Sequence, residues 1–280
     1  MAKNWMEFRA AEFKDLDPMR TIAVLPTAAV EQHGPHLPVG TDALIGEGML
    51  DESKRLIPND MDVRFLPLQA IGKSNEHIWS VGTLSLTVGS ALSSWAEIGL
   101  SASRSGVRKI VLVNSHGGNL DLVSILAREF RVQAGMLAVK CQWGSFGHPE
   151  GMYSPEELKF GIHGGDVETS LMLHFRPDLV DMPAARHFRS TAESEPIPPV
   201  GPLSYGWIAK DLNPSGVVGD ASNASAAKGA ATAAHQASGF VELLRQVEKM
   251  PLDRFDPSAR KPAGQQEAAA HIRQNSGTRH

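Results

Sequence analysis

Short apolar runs alternate with amphipathic segments between residues 20 and 142. The apolar, β-prone runs predict four buried strands, at residues 21–26, 62–68, 109–114 and 136–142. Apolar side chains at helical spacing predict helices between them, at about residues 42–56 with Thr41 as the cap, at about 90–105 and after residue 119. This alternation is typical of an α/β fold with a parallel sheet and helices on both of its faces.

The second half of the chain is less regular. Residues 144–165 and 182–223 are rich in loop-forming side chains and predict long connections, whereas residues 166–175 and 224–249 predict helices. Beyond residue 250 the chain is polar and has few large apolar groups. The pattern therefore predicts a single domain over residues 1–250 and a polar C-terminal tail over 251–280.

Composition removes several classes of function. The 280 residues are 42% hydrophobic and 21% charged, with a net charge of -4, so a sizeable core is expected and no basic surface for nucleic acid. Cys141 is the only cysteine, which excludes an intramolecular disulfide and a cysteine-rich zinc site. The first residues lack the apolar core of a signal peptide, and no apolar run reaches the roughly 18 residues of a membrane span. We expect a cytoplasmic protein without a membrane segment.

Residues 31–42 read E-Q-H-G-P-H-L-P-V-G-T-D and follow the first predicted strand after four residues. Glu31 and His33 are two residues apart, so in an extended segment their side chains point the same way. Mixed carboxylate and imidazole ligands suit Zn, Mn or Fe, and Asp42 completes the candidate set. The alternative is a group of turn and cap residues, with Asp42 as a helix-start charge and His36 as a packed loop histidine.

Two more polar clusters contain paired glycines. N-S-H-G-G-N at 114–119 follows the third strand, and H-G-G-D-V-E-T-S at 163–170 precedes a predicted helix. Ligands bind beyond the carboxyl ends of parallel strands, so the first of these is expected near Glu31. The alternatives are a glycine-rich turn and charges that compensate a helix dipole. A serine hydrolase is disfavoured because no serine lies in a G-x-S-x-G motif.

A fourth cluster, G-K-S-N-E-H at 72–77, is a candidate for a substrate pocket. Ser74 and Glu76 are candidates for holding the substrate, and Trp143 is a candidate wall of the same pocket. The alternatives are an ordinary polar loop for residues 72–77 and a core or surface aromatic residue for Trp143.

These motifs resemble the creatininase family of creatinine amidohydrolases, in family order and over roughly residues 5 to 245. The resemblance implies a three-layer α/β/α fold, a binuclear metal centre and a homo-oligomer, often a hexamer. By motif position, Glu31 and His116 resemble ligands of one metal and His33 a ligand of the other. Asp42 resembles the bridge between the two ions.

The resemblance also assigns the remaining roles. His163 resembles the catalytic histidine of the family, and Ser74 lies where a substrate contact is expected. Creatinine-cleaving members carry a ligand glutamate at the position of Gly118, and members with paired glycines draw this carboxylate from the position of Glu168. Lys159 replaces an expected aromatic lid residue. Creatinine is therefore not the expected substrate, and the formamide hydrolase and peptidase branches fit better.

The predicted function is a metal-dependent amidohydrolase. Two divalent ions, zinc first and manganese or iron next, would supply a hydroxide that cleaves a C–N bond of a small amide, formamide or cyclic amide. The same site would also serve a lactonase or a lyase. A non-catalytic metal-binding protein is the third alternative, and it predicts a sealed site with no pocket.

Overall fold

A five-stranded parallel sheet forms the centre of the computed structural model, which describes residues 2–255. The strands run in the spatial order β1-β3-β2-β4-β5, and every pairing in this sheet is parallel. Their bounds are β1 Ala2–Asn4, β2 Ile22–Thr27, β3 Val63–Phe65, β4 Lys109–Asn114 and β5 Leu137–Gln142. The α/β class and the predicted strand–helix alternation are confirmed.

Helices cover both faces of this sheet. The helices are α1 Thr41–Leu56, α2 Val88–Arg104, α3 Leu120–Ala134, α4 Pro155–Phe160, α5 Asp166–Phe175, α6 Ala209–Leu212 and α7 Ala226–Lys249. The short helices α4 and α6 contribute Phe160 and Leu212 to a smaller apolar cluster, and the other five cover the sheet. Apolar side chains of α1, α5 and α7 form one core with the sheet, and those of α2 and α3 form the other. A two-stranded antiparallel pair, β6 His187–Phe188 and β7 Gly219–Asp220, lies in the long predicted connection.

Alternation along the strands explains the two cores. Ile22 and Val24 of β2 face the α7 side, whereas Ala23 and Leu25 face the α2 side. All four side chains are fully buried. A strand covered on both faces is apolar throughout, which is why β2 appears in the sequence as a continuous hydrophobic run.

Three local predictions differ from the structure. Thr41 was predicted to cap α1, but Gly40 is the N-cap residue, and the Thr41 hydroxyl donates to the Pro38 carbonyl. Helix α4 lies within residues 144–165, which the sequence predicts to be a loop. The sequence does not reveal this helix because six residues are too few to show helical periodicity. The sequence does not predict the edge strand β1 either, because three residues are too few to show the alternation of a strand.

The domain extends slightly beyond the predicted boundary at residue 250. Leu252 is buried in the core on the α7 side. The rest of the predicted tail, residues 256–280, lies outside the described residues. Within residues 2–255, no helix combines the length and apolar character that a membrane span needs.

Candidate metal centre and its cavity

The candidate ligands meet at the carboxyl end of the sheet. Glu31 and His33 follow β2, and His116 follows β4. Asp42 and Glu168 lie in the first turns of α1 and α5. Parallel strands end at one edge of a sheet, so these segments are brought together by the fold although they are far apart in sequence.

Asp42 lies between the two candidate ligand histidines, His33 and His116. Its Oδ1 is 3.2 Å from His33 Nε2, and its Oδ2 is 3.1 Å from His116 Nδ1. Glu31 Oε1 lies 3.3 Å from His116 Nδ1, and Glu168 Oε2 lies 3.6 Å from His33 Nε2. Two groups that could each hold a cation therefore share Asp42: one with Glu31 and His116, the other with His33 and Glu168.

Backbone carbonyls orient both of these imidazoles. His33 Nδ1 lies 3.0 Å from the carbonyl oxygen of Glu31, and His116 Nε2 lies 3.0 Å from that of Lys73. A carbonyl can only accept, so these nitrogens carry hydrogen, and His33 Nε2 and His116 Nδ1 face Asp42. This is the arrangement by which metal-ligating histidines are usually held.

Three atoms at the centre of the cluster are buried and make no hydrogen bond within residues 2–255: Glu31 Oε1, His33 Nε2 and Asp42 Oδ2. Buried polar atoms without partners are costly, and a structure keeps few of them without a reason. Divalent cations would satisfy all three. The residues therefore fit the metal centre that the sequence predicts.

The proton affinities of the cluster agree with this fit. Burial opposes a charge on His33, but Asp42, Glu168 and Glu31 outweigh it and raise the pKa of His33 to about 9. For His116 the balance is similar, with Glu31 and Asp42 raising the pKa well above its usual value despite burial. Burial raises the pKa of Glu168 to about 7, against the opposing effect of His33. Without metal, protons on His33, His116 and Glu168 thus balance the negative charge of this cluster, as bound cations would.

His163 lies beside Glu31. Its Nδ1 is 3.4 Å from Glu31 Oε1, and its Nε2 is 2.7 Å from the carbonyl oxygen of Gln32. Burial, together with repulsion from His33 and His77, lowers the pKa of His163 well below its usual value. A neutral imidazole next to the candidate ligands suits either proton transfer or a further ligand, since its nitrogen also lies within reach of Glu31 and His33.

Ser74, predicted from the sequence to contact the substrate, instead contacts Glu31. It is fully buried, and its hydroxyl donates a short hydrogen bond to Glu31 Oε2. Ser74 is absent from the lining of the cavity above the cluster. The side chain therefore supports Glu31 from behind, away from a substrate contact.

A cavity of about 770 Å³ opens above the cluster. Glu76 and Trp143, both predicted to contact substrate, line it, as do Glu31, Asp42, His116 and Glu168. Glu76 Oε1 lies 3.5 Å from His116 Nε2, and Lys73 Nζ lies 3.2 Å from Glu76 Oε2. Trp143 donates from Nε1 to Ser115 Oγ at 3.2 Å, which fixes the indole in the cavity wall.

Two histidines differ from each other in role. His36 is buried with its Nε2 3.1 Å from the Gly164 carbonyl oxygen, and burial lowers its pKa to about 4. This is the packed loop histidine of the alternative interpretation, and it is in none of the candidate ligand groups. His77, by contrast, reaches Glu31 Oε1 at 3.5 Å and lines the cavity, although the sequence singled out Glu76 ahead of it.

Glu157 is a site residue that the sequence did not reveal. It is 5% exposed, its Oε1 accepts from the backbone N–H of Asp166 at 2.7 Å, and its Oε2 accepts from that of Asp220 at 2.8 Å. This carboxylate joins the start of α5, which carries Glu168, to β7. In the sequence Glu157 follows Glu156, and the pair resembles ordinary charges in the first turn of a helix.

Comparison with known proteins gives consistent results. The family model described as creatininase, creatinine amidohydrolase, matches residues 6–244. A mycofactocin precursor peptide peptidase of Mycolicibacterium smegmatis is 28% identical over 237 residues, which cover 83% of this chain and 88% of that protein. A creatinine amidohydrolase of Pseudomonas putida is 29% identical over 176 residues, covering 58% of this chain and 66% of that protein.

A solved structure of creatininase, described as its Mn form, has the same fold. It superposes with a TM-score of 0.70 at 23% identity, covering 89% of this chain and all of that one (100%). At this level of identity the likeness concerns the fold, and it agrees with the parallel sheet between two helical layers.

Proposed function

This chain belongs to the creatininase family, and from that premise we propose that it is a metal-dependent hydrolase of an amide C–N bond. The observation that carries the proposal is the position of Asp42. Its two oxygens lie 3.2 Å from His33 Nε2 and 3.1 Å from His116 Nδ1, at the floor of an open cavity. One carboxylate between two correctly oriented imidazoles suits a pair of cations.

Glu31, Asp42 and His116 would hold one cation, and Asp42, His33 and Glu168 the other. Bound there, zinc or another divalent ion would polarise a carbonyl group and lower the pKa of water from about 15.7 to roughly 7. Nitrogen and oxygen ligands suit zinc, manganese and iron, so we expect zinc first and either of the others next.

His163 is the candidate for proton transfer. Its Nε2 hydrogen is held by the carbonyl of Gln32, so Nδ1 is the atom that exchanges protons with the cavity. In hydrolysis Nδ1 takes the proton of the attacking water and gives it to the amide nitrogen, which leaves as a neutral amine. Amide cleavage needs this step because an unprotonated amine is a poor leaving group.

A peptide bond is the second candidate target. The relative in Mycolicibacterium smegmatis is named a peptide peptidase and aligns over 88% of its length. The cavity of about 770 Å³ lies in the upper part of the range of about 300–1,000 Å³ that is usual for ligand pockets, and so has room for more than a small ring. The non-catalytic alternative predicts a sealed site, and the open cavity argues against it.

Assays of metal-free and metal-reloaded protein would test the proposal. The chain would be stripped with a chelator, reloaded with zinc or manganese, and offered formamides, cyclic amides, short peptides and lactones side by side. We expect metal-dependent release of an amine from one amide class. Hydrolysis of lactones alone, to hydroxy acids, would favour a lactonase, and inactivity of the reloaded protein on every amide would contradict the proposal.

Asp42→Asn keeps the shape of the side chain but removes its charge. We expect it to bind at least one metal equivalent less and to lose turnover, as measured by elemental analysis and amine release. Asp121→Asn is the matched control, because Asp121 lines the same cavity outside the candidate ligand groups.

The homo-oligomer expected from the family resemblance stays a prediction, which sedimentation of the full chain would test.

A further inference from the structure

Gln32 lies between two candidate ligands in the sequence and is itself 6% exposed. Its side-chain amide makes four close contacts. The amide oxygen accepts from the backbone N–H of Gly34 at 2.9 Å, and the amide nitrogen donates to the carbonyl of Gly216 at 2.9 Å. The same nitrogen lies 2.8 Å from His77 Nδ1 and 3.2 Å from His163 Nε2. Its two hydrogens are directed to Gly216 and His77, and His163 Nε2 lies closer to the Gln32 carbonyl oxygen, at 2.7 Å.

The backbone contacts fix which way this amide points. With oxygen and nitrogen exchanged, the oxygen would face the carbonyl oxygen of Gly216 and the NH₂ group would face the N–H of Gly34. Both hydrogen bonds would become repulsive contacts. Only glycine allows this approach, because a Cβ added to Gly216 would lie 2.5 Å from Gln32 Nε2. Its φ of +79° also favours glycine at this position.

This orientation decides where His77 carries its hydrogen. An amide NH₂ group can only donate, so His77 Nδ1 must accept, and the ring hydrogen is then on Nε2. That nitrogen faces Glu31 Oε1 at 3.5 Å. His77 thus directs an N–H group towards the candidate metal centre.

The backbone of Gln32 does the opposite for His163. The Gln32 carbonyl oxygen lies 2.7 Å from His163 Nε2, which must therefore donate. The other ring nitrogen, Nδ1, faces Glu31 Oε1 at 3.4 Å. The two imidazoles stack with their centroids 4.3 Å apart, so one residue orients a pair of neighbouring rings.

We propose that Gln32 is a positioning residue that gives the two stacked histidines complementary roles, with His77 presenting a hydrogen-bond donor at Nε2 and His163 presenting Nδ1. This inference rests on the proposed hydrolase function for its meaning in catalysis. In amide hydrolysis a donor stabilises the oxygen of the attacked carbonyl, and an acceptor receives the proton of water. Without Gln32 either hydrogen arrangement of His77 would be open.

Imidazole nitrogen NMR on the zinc-loaded full chain tests the hydrogen assignment directly. Long-range ¹H–¹⁵N correlation distinguishes ring nitrogens that carry hydrogen from those that do not, and His77→Gln and His163→Gln would assign the signals. We expect wild-type His77 to be protonated at Nε2 alone. His235 is an internal reference, because its Nε2 donates to the Phe146 carbonyl at 3.0 Å.

Gln32→Glu is the decisive variant, since it keeps the shape but replaces the donor by an acceptor. We expect the hydrogen of His77 to move to Nδ1, with the His235 signals unchanged. Gln32→Met, which can neither donate nor accept strongly, is expected to give both forms. Hydrogen on Nδ1 of His77 in the wild type, or no change in either folded variant, would overturn the inference.

The wild-type spectrum alone decides the matter if a variant fails to fold. The measurement needs no substrate, so it is independent of the proposed function. A wild-type chain with the expected hydrogens but no amide hydrolysis would contradict the hydrolase proposal and leave the hydrogen assignment in place. Amide hydrolysis by a chain whose His77 carries its hydrogen on Nδ1 would support the hydrolase proposal and contradict the hydrogen assignment.

Discussion

Glu76 occupies the space that a side chain at Gly118 would need. A Cβ added to Gly118 would lie 2.1 Å from Glu76 Oε1 and 2.5 Å from His116 Nε2. The carboxylate of Glu76 is in turn 3.5 Å from that same nitrogen. The second glycine of the G-G pair is therefore a condition for the approach of Glu76 to His116.

Gly118→Ala should disturb this contact. The new methyl group would displace Glu76 or His116, so we expect a loss of about 1–3 kcal/mol in the free energy of unfolding, typical of overpacking, and weaker zinc binding. Urea denaturation and zinc titration would measure the two effects. Gly117→Ala is the control, because a Cβ there meets no atom within 4 Å. Equal behaviour of the two variants would contradict the steric argument.

Glu168→Gln tests the second metal position. Glu168 Oε2 faces His33 Nε2 at 3.6 Å and accepts from the backbone N–H of Gly164 at 2.6 Å. An amide keeps the hydrogen bond but loses the charge, so we expect the affinity for one of two zinc equivalents to fall by about tenfold or more. Elemental analysis after dialysis would measure this, with the exposed Glu150→Gln as control. Retention of both ions at wild-type affinity would remove Glu168 from the ligand set.

Glu157→Gln tests the link between α5 and β7. Both oxygens of Glu157 accept backbone N–H groups, from Asp166 and from Asp220, and an amide can accept at only one of these places. We expect a loss of about 1–3 kcal/mol in the free energy of unfolding, measured by urea denaturation. Glu156→Gln, the exposed neighbour in the same helix, should be within about 0.5 kcal/mol of wild type. A wild-type midpoint for Glu157→Gln would show that the link contributes little.

The metal-free protein should lose stability as pH rises from 6.5 to 9. Asp42, Glu168 and Glu31, against the opposing effect of burial, raise the pKa of His33 to about 9, whereas the unfolded chain has about 6.5. In this interval His33 binds a proton more fully in the folded state than in the unfolded state. Its contribution to stability is therefore full below pH 6.5 and is lost towards pH 9. At about 1.4 kcal/mol per pKa unit, His33 alone accounts for up to about 3 kcal/mol.

Urea denaturation of metal-free protein at a series of pH values would measure this slope. Zinc-loaded protein is the comparison, because coordination requires neutral imidazole and removes the proton whose loss drives the change. His33→Gln should flatten the curve of the metal-free protein. An equally steep curve in that variant would rule out His33 as the origin.

The limits of sequence reasoning are clearest at Ser74 and Glu157. Motif position marked Ser74, but only the structure shows its hydroxyl turned to Glu31 behind the cavity. Glu157 carries no local signal, because its partners, the N–H groups of Asp166 and Asp220, lie outside its own helix and belong to the backbone. A pattern of side chains cannot reveal a contact made to main-chain atoms elsewhere.

The sequence by itself determined the alternation of strands and helices, because burial on both faces requires apolar runs such as β2 and amphipathic helices such as α3. It also determined which groups have metal-binding chemistry, since Glu31, His33 and Asp42 lie within one segment. The resemblance of the motifs added His116 and Glu168 to this set. Tertiary structure alone decided that Glu76 fills the space beside Gly118, and how the imidazoles are oriented. Those relationships depend on distances between separate loops, which the fold sets and the spacing along the chain does not.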